Sequence, residues 1–156
     1  MQVSLQISKK LLGSALVLLQ FGFLFFLGFL AAPRILRGEI PLVALALAGT
    51  SLVLLGWTFL HNRLGNFNIR PEPKAMGILI MTGPYQLIRH PMYTSVLLGA
   101  AELTLLSESS WAWGVWAMLA GVLIAKSRFE ERWMIEQHPN YYAYFHRSKR
   151  FLPWLL

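Results

Sequence analysis

Long apolar runs alternate along this chain with short, proline-marked polar stretches. The first run, LLGSALVLLQFGFLFFLGFLAA, covers residues 11 to 32. A helix that crosses the hydrocarbon core of a bilayer needs about 20 apolar residues, and this run suffices. Lys9 and Lys10 precede it, as basic residues precede the core of a secretory signal. A signal core is only about 7–15 residues long, so the run reads as a retained span that Pro33 is expected to end. A second run covers residues 42 to 60, with Trp57 and His61 near its end at positions suited to the membrane surface. Residues 61 to 91 form the longest polar connection, punctuated by Pro71, Pro73 and the Gly83-Pro84 pair. Inside it, GILIM is too short to span and reads as a strand-like or interfacial patch. Two further runs follow, at about 92 to 106 and 111 to 127. LSESSW joins them, with a serine expected to cap the fourth helix. That helix meets no breaker until Pro139, so it is expected to run from Ser110 to Gln137, about 40 Å at 1.5 Å per residue. The core is about 30 Å thick, so the last turns, KSRFEERWMIEQ, must project into the interface. The aromatic and basic tail that follows suits a membrane surface.

The pattern predicts an all-α integral membrane bundle of about four spans, in a single domain covering residues 1 to 156. Composition agrees. Of 156 residues, 56% are hydrophobic and 13% charged, against about 25% charged in soluble domains. Cysteine is absent, which excludes disulfides, thiol chemistry and zinc-finger-like sites; no metal site is expected. The formal charge of +7 would suggest nucleic acid if the basic residues shared one soluble face. They cluster instead between the apolar runs, as in membrane proteins that meet anionic headgroups. Nucleic acid is therefore not an expected partner. Basic residues gather at the N-terminus, in residues 61 to 91 and after residue 125. The positive-inside rule then places both termini in the cytoplasm.

Two groups of residues could carry chemistry. In Arg89-His90-Pro91, the proline suits the first position of a helix and disfavours helical backbone before it. The third span is thus expected to begin at Pro91. Its free N–H donors, with Arg89 and His90, would make a place for a carboxylate or other anion. The plainer alternative is that Arg89 meets lipid phosphate and His90 caps backbone. In RFEERW, residues 128 to 133, Arg128 and Glu131 are three apart and share a helix face, while Glu130 points about 100° away. The plain alternative there is a solvated face with a surface ion pair. Glu102, within the third run, is an intramembrane acid and so a functional candidate, or a protonated one bonded to Thr104 or to a neighbouring helix. Tyr141, Tyr142, Tyr144 and Phe145 could wall a ligand or form an interfacial belt.

LGNFNIRPEPK, GPYQLIRHPMY, RFEERWMIEQHPNYYAY and the closing KRFLPWLL occur in that order over about residues 64 to 155. Together they resemble the isoprenylcysteine carboxyl methyltransferase-like family, relatives of the phospholipid methyltransferases. The first two spans match only in hydrophobicity. Ser95 stands where the family commonly has glycine. The resemblance implies S-adenosylmethionine as cofactor, held at the cytoplasmic face by residues of about 64 to 91 and 126 to 150. By position it implicates Tyr85, Arg89, His90, Tyr93, Glu130 and Glu131 in cofactor binding. Arg89, Arg128 and Glu131 are the expected catalytic residues, with Arg128 holding an acidic acceptor and Glu131 as the first choice of base for any other. The expected acceptor is lipophilic and enters from the bilayer, with carboxyl methylation the first choice of reaction and a lipid amine or hydroxyl the alternative. A membrane scaffold or transporter subunit is the alternative of another class. The setting that fits is a bacterial inner membrane.

Overall fold

A computed structural model describes residues 2–62 and 78–153 of the chain. The LGNFNIRPEPK segment, residues 64 to 74, lies outside the described residues. The described residues are helical, in the order α1 (Gln2–Leu36), α2 (Leu42–His61), a 3-10 turn (Gly83–Gln86), α3 (Pro91–Leu106), α4 (Ala112–Gln137) and α5 (Tyr141–Arg147). Residues 78 to 81, within the expected strand-like patch, form neither helix nor strand.

Two of these helices, α1 from Lys10 to Leu36 and α2, are long and apolar enough to cross a membrane. Their outward faces carry Leu18, Phe25, Phe29, Leu42, Leu52, Val53 and Leu60, all exposed. Such a contiguous apolar surface is unfavourable in water and ordinary in lipid. The inward faces meet in a core of Leu27 from α1, Ala100 from α3, and Ala112, Val115, Leu119 and Leu123 from α4. A second core joins Ala31, Ala44 and Leu106 where α1, α2 and α3 meet. α3 therefore sits centrally, against α1, α2 and α4.

Polar contacts between helices fix this packing. Ser51 of α2 donates to the Ser95 carbonyl of α3 at 2.7 Å. The indole N–H of Trp116 on α4 donates to the Leu97 carbonyl at 2.9 Å. Ser95, standing where a glycine was expected, is fully buried, and its hydroxyl donates to the Met92 carbonyl one turn back. The extra oxygen is thus satisfied within its own helix, and close approach to α2 is kept.

Three local expectations are corrected. Pro33 does not end α1, which runs on to Leu36. A proline removes one donor, but its own carbonyl still accepts from Arg37. The turn comes at Gly38, whose φ of +72° suits a residue without Cβ. The fourth helix begins at Ala112 instead of Ser110, and no serine side chain caps it. The Ser109 and Ser110 carbonyls take the first turn's N–H groups instead. Glu102 is not bonded to Thr104, whose hydroxyl donates to the Ala100 carbonyl.

α4 has 26 residues, about 39 Å at 1.5 Å per residue. Its second half carries Lys126, Glu130 and Glu131 beyond the core and alongside the start of α3.

Candidate active site

The site forms where the chain enters α3 and where α4 outruns the core. Gly83, at φ +61°, lets the 3-10 turn fold closely against the His61 ring. Residues 87 to 90 then lead into Pro91, the first residue of α3. Beside them lies the C-terminal segment. Arg89 N–H donates to the Lys149 carbonyl at 2.7 Å, and His90 N–H to the Arg150 carbonyl at 3.1 Å. Lys149 N–H returns a bond to the Leu87 carbonyl, making a single parallel bridge between Ile88 and Lys149. Thr94, in the first turn of α3, donates to the Phe151 carbonyl at 2.8 Å. The tail is thereby tied across the start of α3.

This tie surrounds Glu131. Its Oε1 accepts from Arg89 Nε at 2.8 Å and from Arg150 Nε at 3.2 Å, with His90 Nε2 also at 3.2 Å. Its Oε2 accepts from Arg150 Nη2 at 2.6 Å. Glu131 is buried. Burial alone would raise its carboxyl pKa, but the bonds from His90, Arg150 and Arg89 outweigh this and hold it well below the usual carboxylate range. An acid so held is a poor base. Arg89 is committed as well: it donates to the Phe145 carbonyl at 2.9 Å and to the Ser148 carbonyl, and its guanidinium lies 4.2 Å from the Phe145 ring centre. Both residues thus act first as a frame that locks the tail onto α3 and α4.

Glu130 faces the other way. Its side chain is 34% exposed. Its Oε2 accepts from the Tyr93 hydroxyl at 3.0 Å and lies 3.6 Å from His90 Nδ1. His90 therefore stands between the two carboxylates, and only its doubly protonated ring can donate to both. It stacks on Tyr93 with ring centres 5.2 Å apart. The Lys126 ammonium lies 5.1 Å from the same Tyr93 ring, and it donates to Gln20 of α1 at 2.6 Å in a buried pair. A cation thus already lies over the Tyr93 ring, supplied by the protein's own lysine. The Tyr85 phenol is held un-ionised by burial, with the nearby Glu130 charge adding to the effect. Its carbonyl accepts from the Tyr144 hydroxyl at 2.6 Å. Tyr141 and Tyr144 are buried and Tyr142 is exposed, so the tyrosines of this one short helix face different surroundings. Burial raises the Tyr144 phenol to about 12.

The arrangement gathers Tyr85, Arg89, His90, Tyr93, Glu130 and Glu131 from four segments. Arg128 lies three positions from Glu131; Glu131 turns inward to the tail, while Arg128 is exposed and lines a cavity on the outer side of α4 together with Arg89 and Arg150. Arg150, Lys126 and Gln20 were not among the expected site residues. The closing KRFLP element offered a signal for Arg150; Gln20 is one of two polar residues, with Ser14, in the first apolar run, and nothing in the pattern pairs it with Lys126.

Comparison with known proteins bears on this geometry. The chain is 31% identical over 115 residues to the cobalt-zinc-cadmium resistance protein CzcN of Cupriavidus metallidurans, a match covering 72% of this chain and 49% of that protein. The chain thus spans about half the length of that relative. A phospholipid methyltransferase family model matches residues 40–140, from the start of α2 through both carboxylates of α4. With the family model laid over α2, α3 and α4 and the gathered site, the chain belongs to the phospholipid methyltransferase family.

Proposed function

We propose that the protein transfers a methyl group from S-adenosylmethionine to a lipophilic acceptor dissolved in the bilayer, with a carboxylate as first choice of acceptor group. The observation that carries this is the Tyr93–Glu130–His90 set beside a carboxylate frame, at the point where α3 starts and α4 leaves the core. In this reading α3 and α4 also cross the membrane, giving four spans. The distribution of basic residues favours a site at the cytoplasmic face, as in a bacterial inner membrane.

The residues suit the cofactor's charges. Glu130, partly exposed and oriented by the Tyr93 hydroxyl, offers an acceptor for its amino group or ribose hydroxyls. His90 and the start of α3 offer donors for its carboxylate. Tyr85 supplies an aromatic surface nearby. When bound, the cofactor supplies the electrophilic methyl group. The protein's part is to orient, exclude water and fix the two reactants, and orientation alone can lower a barrier by roughly 7–11 kcal/mol. Arg89 and Glu131 contribute by holding the tail over the site. A carboxylate acceptor requires no base, which agrees with Glu131 being held as an ion. The family's description as phospholipid methyltransferases favours a second reading, in which the acceptor is a lipid amine. Glu130, the more exposed carboxylate, is then the base.

Titration of the detergent-purified protein with S-adenosylhomocysteine tests the proposal. Binding in the micromolar range, about −8 kcal/mol, is expected, and Glu130→Gln should weaken it about tenfold, or about 1.4 kcal/mol. No binding to a folded protein would remove the reading. Methyl transfer to carboxylate and amine lipids, compared side by side, decides between the two acceptors.

A further inference from the structure

The cavity on the outer side of α4 has a volume of about 440 Å3 and is strongly basic. Arg89, Arg128, Lys149 and Arg150 line it, with Ile124 and Phe151 among its apolar walls. No acid lines it among the described residues. Glu131 lies behind it and pairs with Arg89 and Arg150. One carboxylate against four fixed cations leaves a surplus of positive charge, with Arg128 and Lys149 exposed.

The cavity also opens beside lipid-facing surface. Gly114, Ala117, Met118, Gly121 and Ile124 are exposed at helical spacing along α4, and Arg128 lies one turn beyond Ile124. A Cβ added at Gly114 or Gly121 would meet nothing within 4 Å. The stripe is therefore a shallow apolar trough that ends in the basic cavity. A charged head in the cavity and a chain in the trough describe one amphiphile.

We infer that this cavity binds the phosphate headgroup of an anionic phospholipid, with an acyl chain along α4. The inference rests on the proposed reading that α4 crosses the bilayer. A guanidinium matches a phosphate's oxygens with paired N–H bonds; exposed Arg128 can offer them beside the Lys149 ammonium, while Arg89 and Arg150, bonded to Glu131, add positive charge behind them. Basic pockets at the cytoplasmic edge of membrane helices take such headgroups. Free phosphate would fill the cavity but leave the trough unused. Arg128 and Lys149 belong to this cavity and not to the gathered site, whereas Arg89, bonded to Glu131, and Phe151, whose ring centre is 5.9 Å from that of His90, join it to the Tyr93–Glu130 side.

Native mass spectrometry in neutral detergent, with phosphatidylglycerol or phosphatidylcholine added, tests it. Wild type should retain phosphatidylglycerol with at least about tenfold preference. Lys149→Glu and Arg128→Glu should each reduce that preference, and the double variant should abolish it. Ile124→Glu, at the junction of cavity and trough, should do the same. Both arginine and lysine side chains are exposed, and an unfolding midpoint raised by phosphatidylglycerol in wild type but not in the double variant reports the same loss independently. Equal retention of both lipids, or a preference that survives the double substitution, overturns the inference. So does displacement of the lipid by millimolar inorganic phosphate, which would mark a site for soluble anions. S-adenosylhomocysteine titration of Lys149→Glu separates this inference from the proposed function: unchanged binding with lost lipid preference supports a second site. Lipid preference in a wild type that binds no S-adenosylhomocysteine would remove the methyltransferase reading and leave this one standing.

Discussion

Glu130 and Glu131 are adjacent in sequence and opposite in role. Glu131 is buried among Arg89, His90 and Arg150, so removing it leaves charges with no partner in a confined place. Loss of one member of a buried ion cluster costs about 3–5 kcal/mol. Glu131→Ala should therefore lower thermal stability in detergent by that order, while Glu130→Gln should leave the unfolding midpoint nearly unchanged and act on ligand binding. The depressed pKa of Glu131 adds a pH signature. In the unfolded chain a glutamate titrates near pH 4.3, and in the folded protein it titrates lower. Between those values the unfolded state binds more protons, so stability rises with pH there. The contribution of Glu131 is complete above the ordinary carboxylate range and declines as the pH falls below about 4. Acid unfolding of Glu131→Gln should lack this part of the pH dependence; an unaltered acid limb would show that the cluster does not stabilise the fold. Sequence could name both carboxylates and not their roles. A helix turns about 100° per residue, and which side faces the tail depends on where Arg150 comes to lie.

Elements meet at tighter tolerances than their sequences announce. The Gly-Pro pair marked a turn, and a turn is present, but its reason lies in α2. Gly83 has a positive φ, and a Cβ there would lie 2.4 Å from the His61 ring. Gly83→Ala should destabilise the protein by about 1–2 kcal/mol through backbone strain alone, with a further cost from the clash. His61→Ala should relieve the second part and not the first. A double-mutant cycle by thermal unfolding measures the split, and additive effects would mean that α2 and the turn do not touch in solution. The start of α3 at Pro91 was legible because proline restricts the residue before it and suits the first helical turn. The end of α1 was misread because proline was weighed as a stop, while Gly38 supplied the left-handed turn. The tail strap over residues 87 to 90 was not legible. It depends on backbone bonds between segments about 60 residues apart, and these leave no periodic trace.

At the scale of the whole molecule, charge sorts the two ends of the bundle. One end carries the gathered site, the basic tail and the basic cavity. At the other, Arg34 in the last turn of α1 and Arg37 just after it pair with Glu108 between α3 and α4, the closer contact at 2.9 Å. The α1–α2 and α3–α4 connections therefore share one end, as consecutive antiparallel helices require. Hydrophobic runs made this layout readable, since only long apolar helices satisfy their backbone in lipid. The run at 92 to 106 already marked α3, with 16 residues or about 24 Å, as shorter than the core, but nothing in it showed that α3 is central among its neighbours. A short central helix is workable if its ends are polar but sheltered, and both are: Thr94 and Ser95 at one end and Thr104 at the other are buried and hydrogen-bonded. The four-span reading then makes a topological prediction. Because the chain has no cysteine, single cysteines can be placed without background. Ser110→Cys, in the exposed α3–α4 connection, should react with a membrane-impermeant maleimide in intact cells. Arg147→Cys, exposed at the end of α5, should react only after lysis. Labelling of both positions from the same side would bring the site and the α3–α4 connection to one face of the membrane, and α4 could not then cross it.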